Sequence, residues 1–248
     1  MPRVNYGLDA PTVVRNFVLL GVSLTLGGVI LAAVPSRAVH GFASAALSMG
    51  ICFAISALIM LWGSLFGKFR LRDWVLNRLE LKGDEQVLDV GCGHGLMLIG
   101  AAKRLSGGHA TGIDIWSHTD QAANSPEATR RNAELEGVAD RIDVRDGDAR
   151  AIPFPDATFD VVVSSLALHN IENAEERRKA LSEIARVLKP GGRIGMIDIF
   201  KGGEYLDYFT SHGFRVVAKK TTIEFLLVTR LFVAKSRPAS GRTSPDIS

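Results

Sequence analysis

The chain has 248 residues, of which 47% are hydrophobic, and a net charge of only +3. That length suits one α/β domain of common size with an additional segment, and so small a charge gives no indication of nucleic-acid binding, even with a sequence pI near 9.0. Cys52 lies in an apolar run and Cys92 in a glycine-rich loop, which favours a reducing compartment over a structural disulfide; no CxxC motif or His/Cys/Asp cluster indicates a metal site.

The apolar residues are concentrated in the first quarter of the chain. Phe17–Val34 and Gly41–Phe66 are both free of charge, and a helix that crosses a bilayer needs about 20 apolar residues. A cleaved signal peptide ending near Ala33 would explain only the first run, and a buried soluble hairpin rarely lacks charge over such lengths. We therefore predict a membrane anchor over residues 1–67, with transmembrane helices at about 17–34 and 43–66.

Small and basic residues refine this prediction. Small side chains allow close contact between the two helices; they are Gly21, Gly27, Gly28, Ala45, Ala46, Gly50, Ala54 and Ala57. Basic side chains flank the outer ends of the hairpin, at Arg3, Arg15, Lys68, Arg70, Arg72 and Arg78. The positive-inside rule then predicts an integral membrane protein whose two ends and following domain are cytoplasmic, and residues 68–72 are expected to hold that domain against anionic lipid headgroups.

Over residues 68–236 short apolar strands alternate with amphipathic helices, and a polar tail over 237–248 is predicted to be disordered. The predicted strands are Gln86–Val90, Ala110–Ile115, Ile142–Arg145, Phe159–Ser164 and Arg193–Ile199. The predicted helices are Leu71–Leu81, Leu96–Leu105, Pro126–Glu136, Ala174–Leu188 and Glu204–His212. Two last runs, 214–220 and 223–235, predict an antiparallel hairpin. The fold class is therefore α/β, with a doubly wound, Rossmann-like sheet of seven strands.

The stretch VLDVGCGHGLMLIGAA, residues 87–102, predicts a strand, a loop and a helix. Gly91, Gly93 and Gly95 let the backbone turn sharply and approach a ligand, with the amides of the following helix exposed to it. Loops of this shape hold phosphates, dinucleotides or S-adenosylmethionine, and the GxGxG spacing differs from the GxGxxG of nicotinamide-binding folds. Because the backbone does the binding, Cys92 and His94 are interpreted as spacers.

Residues 70–235 contain four motifs in order: LDVGCGHG, TGIDIW, RDGDARAIPFPDATFD, and FDVVVSSLALHNI with LKPGGRIGMIDI. By these motifs, which occur in the family's order, residues 70–235 resemble the class I S-adenosylmethionine-dependent methyltransferases, with a UbiE-like core. The resemblance implies S-adenosylmethionine as cofactor. It implies that Asp89 binds the methionine amino group or only fixes the loop, and that Asp114 binds the ribose hydroxyls. Asp148, with Asp146 as a competitor, and the backbone of Ala149 would bind adenine. The other predicted cofactor-binding residues are Gly91, Cys92, Gly93, Gly95, Ile115, Trp116, Ser164 and Ser165.

One departure from the family is the inserted segment SHTDQAAN between Trp116 and Ser125. It could place Trp116, Asp120 or Asn124 over the adenosine or the acceptor entrance, or it could be a plain surface loop. Ser125 and Pro126 still predict the cap and first turn of a helix. The short segment after the fifth strand leaves almost no room for a lid, so the lid is expected from the helix at 71–81, the insertion, another subunit or the membrane surface.

Methyl transfer requires the protein mainly to align the acceptor and exclude water. His169 is the candidate general base, the alternative being that it packs or orients its loop; Asn170 and Asp198 are further candidates. We expect a membrane-anchored methyltransferase with a small, lipophilic acceptor, a lipid bilayer as partner and no nucleic acid, and we leave oligomerisation open. The alternatives are a tethered enzyme for a soluble small molecule, a non-catalytic cofactor-binding membrane scaffold and, more distantly, a nicotinamide-dependent oxidoreductase.

Overall fold

One mixed sheet of seven strands forms the centre of the soluble part. The computed structural model describes residues 4–117, 124–224 and 226–238. The strands are β1 (Gln86–Val90), β2 (His109–Asp114), β3 (Ile142–Asp146), β4 (Phe159–Ser165), β5 (Leu188–Asp198), β6 (Arg215–Glu224) and β7 (Leu227–Lys235). Their order is β3-β2-β1-β4-β5-β7-β6, with β1 to β5 parallel and β6 and β7 antiparallel. The predicted fold class is confirmed.

Helices cover both faces of this sheet. They are α3 (Lys68–Arg78), α4 (Leu96–Ala102), α5 (Pro126–Leu135), α6 (Ala174–Val187) and α7 (Gly202–Ser211), preceded by α1 (Pro11–Ala32) and α2 (Arg37–Trp62). Successive residues of β4 enter opposite cores, because side chains alternate along a strand. Val161 and Val163 pack with α3 and α4, whereas Val162 packs with α6 and α7.

Several boundaries differ from the prediction, among them those of β5, the last hairpin and α4. β5 begins at Leu188 instead of Arg193, because the turn at Gly191 and Gly192 stays hydrogen bonded to residues 236 and 237, just after β7. Gly191 makes this turn with a φ of 78°. The hairpin does not break at 221–222: Thr221 and Thr222 pair with β7, and β6 continues to Glu224. α4 ends at Ala102, three residues earlier than predicted. Most of the predicted disordered tail lies outside the described residues.

The two apolar helices α1 and α2 pack against each other through glycine. A Cβ on Gly50 would lie 2.4 Å from Thr25 Oγ1, and one on Gly28 would lie 2.7 Å from Leu47 Cγ. Gly21 is in a similarly close contact, whereas Gly27 faces open space. Three of the predicted glycines therefore make the close contact that their lack of a side chain allows.

The second apolar helix continues without a break into the α/β domain. Residues 63–67 form a single π-helical turn, so one helix of 42 residues runs from Arg37 to Arg78. This helix and α1 are long and apolar enough to cross a membrane. Leu71, Val75, Leu76 and Leu79 are buried against the sheet. The core of the domain thus sets the direction in which α2 leaves it.

Candidate cofactor and active site

A cavity of about 700 Å³ opens where β1, β2 and β4 end, the edge at which open α/β sheets bind ligands. We call it the carboxyl edge. The predicted site residues that line the cavity are Asp89, Gly91, Cys92, Gly93, Asp114, Ile115, Asp148, Ala149, Ser165 and His169. Gly95, Trp116 and Ser164 do not line it.

The glycine loop needs its glycines for conformation and for close contact. Gly91 has a φ of 72° and Gly95 a φ of 87°, values that disfavour side chains. A Cβ on Gly91 would lie 2.2 Å from Ala167 Cβ. The amides of Gly91 and Cys92 donate to Ile113 O at 2.8 and 3.1 Å, which fixes the loop to β2 and leaves its other face to the cavity.

Asp89, at the end of β1, is buried with only one carboxylate oxygen satisfied. Oδ2 accepts a hydrogen bond from Leu98 N at 2.8 Å, whereas Oδ1 has no partner among the residues described. Burial raises the pKa of Asp89 to about 8; the charge of Asp114 adds to the rise, and the Leu98 amide opposes it. A buried acceptor without a donor is costly, so this position suits a ligand that brings a cationic donor.

Asp114 ends β2 and accepts hydrogen bonds from three donors among the described residues. Gly93 N donates to Oδ2 at 2.9 Å, and Trp116 N donates to Oδ1 at 2.7 Å. Asn124 Nδ2 also donates to Oδ1, at 3.2 Å. Asn124 is buried and lines the cavity, so the end of the inserted segment belongs to the site; Asp120 lies outside the described residues.

Asp148 lines the cavity and has an arginine partner that the sequence did not suggest. Arg150 donates to both carboxylate oxygens, with Nη2 to Oδ2 at 2.6 Å, and also contacts Glu176. The Arg150 hydrogen bonds lower the pKa of Asp148, outweighing the effect of burial. The competitor Asp146 is exposed, and its Oδ1 accepts from Trp116 Nε1 at 2.7 Å. The geometry therefore favours Asp148 over Asp146 as a cavity acceptor.

His169 lines the cavity and forms a pair with Asp198. His169 Nδ1 lies 3.2 Å from Asp198 Oδ2, and Asp198 Oδ1 accepts from the amides of Phe200 and Lys201. Burial alone would raise the pKa of Asp198, but the hydrogen bonds from His169 and these amides lower it. Asp198 is therefore an ionised partner that orients the imidazole.

Three predicted residues have structural roles. Ser164 Oγ donates to Val90 O at 2.8 Å, joining β4 to β1. Gly95 is the N-cap of α4. The ring N–H of Trp116 donates to Asp146, and Trp116 is not among the residues that line the cavity. Cys92 lines the cavity, but burial and the charges of Asp89 and Asp114 raise the pKa of its thiol well above the usual value, which agrees with its interpretation as a spacer.

The N-terminal residues Val4–Asp9, which we call the strap, lie across the glycine loop, a feature that the sequence reading missed. Asn5 exchanges two hydrogen bonds with Asn132 of α5, and its carbonyl lies 3.0 Å from His94 Nδ1. Tyr6 is buried, lines the cavity, and donates from its hydroxyl to Glu136 Oε1 at 3.0 Å. The strap therefore supplies a cover for the site, which the sequence assigned to other segments.

Lys68 holds the strap to the start of α3. Its Nζ donates to Tyr6 O at 3.0 Å and to Gly7 O at 2.6 Å, and forms an ion pair with Asp9 at 3.3 Å. Ser64 Oγ accepts from Asp9 N at 2.9 Å. Lys68 is only 5% exposed, and its ammonium group binds the strap. Its predicted contact with lipid headgroups is therefore wrong. One lysine within the basic group that follows the second apolar run gave no sequence signal for this role.

Comparison with known proteins identifies the domain that carries this site. Residues 88–196 match the family described as "Methyltransferase domain". They form a methyltransferase domain. The methyl donor that this domain implies is S-adenosylmethionine.

Two curated relatives act on quinone or sterol substrates by name. The Ubiquinone/menaquinone biosynthesis C-methyltransferase UbiE of Ruegeria sp. (strain TM1040) is 35% identical over 127 residues, 51% of this chain and 47% of the relative. The Sterol 4-C-methyltransferase strm-1 of Caenorhabditis elegans is 34% identical over 131 residues, 53% of this chain and 36% of the relative. The chain thus spans about half the length, or less, of these relatives.

Solved structures agree on the fold. A SAM dependent methyltransferase from Aquifex aeolicus superposes with a TM-score of 0.53 and 22% identity, covering 66% of this chain and 88% of the other. The [4+2]-cyclase SpnF superposes with a TM-score of 0.56 and 21% identity, covering 68% and 82%. Because proteins with different named reactions share it, the fold by itself does not assign the reaction.

Proposed function

We propose that the protein is a membrane-anchored methyltransferase that uses S-adenosylmethionine to methylate a small, lipophilic acceptor at the cytoplasmic membrane face. The observation that carries the proposal is the position of the cavity: it opens at the carboxyl edge, the same edge from which α2 leaves the domain. An acceptor dissolved in a bilayer around α1 and α2 would meet the open side of the site. The quinone and sterol enzymes among the relatives support a lipophilic acceptor.

Membrane crossing by α1 and α2 is part of this proposal. Only 17% of the most apolar window of each helix is buried inside the protein, whereas the core helix of a soluble protein buries most of such a window. A cleaved signal peptide would also remove the strap, whose residues Asn5 and Tyr6 are packed into the domain. Retention of both helices as a hairpin, with both ends on the same side of the membrane, keeps these contacts.

The cavity fits S-adenosylmethionine on two structural grounds. The Oδ1 atom of Asp89 has no partner among the described residues. Burial raises the pKa of this carboxyl, so a ligand that brings an ammonium group would stabilise its ionised form. We infer that Asp89 would hold the ammonium of the methionine moiety, Asp114 the ribose hydroxyls, and Asp148 with the Ala149 amide the adenine. When bound, the cofactor supplies an electrophilic sulfonium methyl group; the protein contributes alignment and exclusion of water.

On the acceptor side we assign His169 as proton acceptor and Asp198 as its positioning residue. With Nδ1 held by Asp198, Nε2 is the nitrogen left to the cavity that His169 lines. A phenol, an activated carbon acid or an ammonium acceptor would lose its proton to this nitrogen. His169→Gln is expected to lower kcat while the dissociation constant of S-adenosylhomocysteine stays unchanged, and Asp198→Asn to shift the pH profile of kcat. A loss of cofactor affinity in both variants would assign the pair a structural role.

The main test separates a lipophilic acceptor from a soluble one. Native membranes and cytosol of the source cells are incubated with methyl-labelled cofactor and the full-length protein, and the label is measured in solvent-extractable and water-soluble fractions. We expect the label in the extractable fraction. Label confined to water-soluble products would refute the lipophilic acceptor, and no label in either fraction would favour the non-catalytic scaffold.

Truncation of residues 1–66 is an unsuitable control because it removes the strap as well as the helices. Asp9 N lies 2.9 Å from Ser64 Oγ, so a short Gly/Ser linker can replace residues 11–62 while the strap stays in place. This variant is expected to bind S-adenosylhomocysteine like the full chain but to methylate membrane extracts far more slowly. Equal rates would support the tethered enzyme for a soluble molecule.

A further inference from the structure

Most of the exposed large apolar side chains described for the α/β domain lie at or beyond the carboxyl edge. Among the described residues from 68 onward, the exposed large apolar side chains are Ile115, Leu135, Phe200, Val217, Ile223, Leu226 and Val228. Ile115 directly follows β2, Phe200 lies two residues after β5, and three others lie around the turn between β6 and β7. We call Ile223, Leu226 and Val228 the hairpin tip; their side chains are 72%, 37% and 46% exposed.

The strand register shows that the hairpin tip extends past the carboxyl edge. Asp198, the last residue of β5, pairs with Arg230, and Arg230 pairs with Thr221. Because β7 runs antiparallel to β5, the described residues between Thr221 and Arg230 lie beyond the end of the parallel strands. Three residues of strand rise about 10 Å, so the tip stands about that far above the sheet.

Helix α2 leaves the domain in the same direction. Lys68, where α3 begins, lines the cavity at the carboxyl edge, whereas Leu79, after α3 ends, contacts Arg193 near the start of the parallel part of β5. The unbroken helix before Lys68 therefore continues beyond the carboxyl edge. Its exposed Trp62 and Phe66 rings, 4.7 Å apart, lie within about 9 Å of helix rise from Lys68, and aromatic side chains are enriched at membrane interfaces.

Basic side chains surround the base of the hairpin tip. Lys219, Lys220 and Arg230 are exposed, and they lie at or just below the level where β5 ends. Residues 215–235 contain five basic side chains and one acid. Apolar side chains at the end of a hairpin, with basic side chains just below them, can insert shallowly into an anionic bilayer. The long basic side chains then reach the lipid headgroups.

We propose that the hairpin tip is a second membrane contact, which inserts into the headgroup region of an anionic bilayer. The inference rests on the proposed function, because a bilayer crossed by α2 must lie beyond the carboxyl edge. Two contacts, α2 and the tip, hold the domain with its cavity mouth toward the bilayer. Ile115 and Phe200, exposed at that mouth, then give a lipophilic acceptor an apolar route to the site that avoids bulk water.

The test uses the full-length protein in vesicles of phosphatidylcholine with phosphatidylglycerol. An environment-sensitive fluorophore is attached at Ile223→Cys in a Cys52→Ser background, since Cys92 is buried. The matched control is Asp84→Cys, an exposed position before β1 at the opposite edge. We expect a blue-shifted emission and quenching by spin-labelled lipids at position 223 and neither at position 84. Vesicles of phosphatidylcholine alone should reduce both effects.

Separate readouts distinguish failure of this inference from failure of the proposed function. Resistance to alkaline carbonate extraction reports the spans of α1 and α2, whatever the tip does. An extraction-resistant protein without quenching at position 223 would refute the tip contact alone, and an extractable protein would refute the anchor. A blue shift that depends on protein concentration but not on spin-labelled lipid would assign the tip to a contact between two copies.

Changing Ile223, Leu226 and Val228 together to Ser should slow methylation in membranes without weakening binding of S-adenosylhomocysteine.

Discussion

Asp89→Asn removes a negative charge from the cavity while keeping the shape of the side chain and an acceptor for Leu98 N. In the ligand-free protein the pKa of Asp89 is raised to about 8, so only about a tenth of the molecules carry the charge at pH 7. A ligand with an ammonium group binds the ionised form. The affinity for S-adenosylhomocysteine should therefore rise about ninefold from pH 6 to pH 7, about fivefold from pH 7 to pH 8, and then level off.

Isothermal titration measures this directly, through the dissociation constant at each pH and the protons released. In two buffers of different ionisation enthalpy, binding to the wild type at pH 7 should release about 0.9 proton, which follows from the ionised fraction. Asp89→Asn should bind weakly, without proton release and without this pH dependence. Asp140→Asn, at a largely exposed acid, is the matched control and should behave as wild type. A pH-independent affinity in the wild type would refute the reasoning.

The same shift makes a stability prediction of opposite sign. The carboxyl ionises near 3.8 when unfolded and near 8 when folded, so stability present at low pH is lost as the pH rises through this range. Each pKa unit corresponds to about 1.4 kcal/mol, which sets an upper limit of about 6 kcal/mol on the loss. Ligand-free Asp89→Asn should therefore melt at a higher temperature than the wild type at pH 8, and at a similar temperature near pH 4. A lower melting temperature at pH 8 would contradict the raised pKa.

Three further predictions concern the loop, the strap and the adenine side. Gly91→Ala should destabilise the domain by about 2 kcal/mol or more, because its Cβ would meet Ala167 in a left-handed conformation; the melting temperature in differential scanning fluorimetry checks this, and an unchanged value would contradict it. Lys68→Met should release the strap, because it removes the two hydrogen bonds from Lys68 to the strap carbonyls. Binding of S-adenosylhomocysteine should weaken only about threefold to tenfold, since these charge-assisted hydrogen bonds act on the ligand indirectly. Limited proteolysis should then cut near residues 7–10, and an uncut strap would count against its role as a cover. Arg150→Ala should raise the pKa of the carboxyl it holds and weaken binding of adenosine-containing ligands, while Arg145→Ala, an exposed control, should not; titration calorimetry with both variants separates the two outcomes.

Local patterns along the chain were enough to predict the sheet and several of the side chains that line the cavity at its carboxyl edge. Alternation of apolar strands with amphipathic helices implies parallel strands, and parallel strands that end beside each other bring Asp89, Asp114 and His169 to one edge without further information. The glycine spacing was equally informative, because backbone conformation at Gly91 and Gly95 depends mostly on the residue itself.

The remaining features depend on contacts between segments far apart in sequence. Asn5 of the strap is separated in sequence by 89 residues from His94 and by 127 residues from Asn132, both of which it contacts. Nothing in the composition of residues 4–9 indicates that they bind there. The Arg150 partner of Asp148 is close in sequence, yet an arginine two residues away could equally have pointed to solvent.

The direction of α2 is the clearest case. Charge-free runs predict helices by composition alone, because burial in lipid depends on the apolar character of a segment and on little else. Which edge of the sheet those helices leave from depends on Leu71, Val75 and Leu76 packing beneath the sheet, a tertiary contact. The sequence by itself therefore determined that this protein has a cofactor loop and two apolar helices, and only the tertiary structure decided that the loop opens toward them.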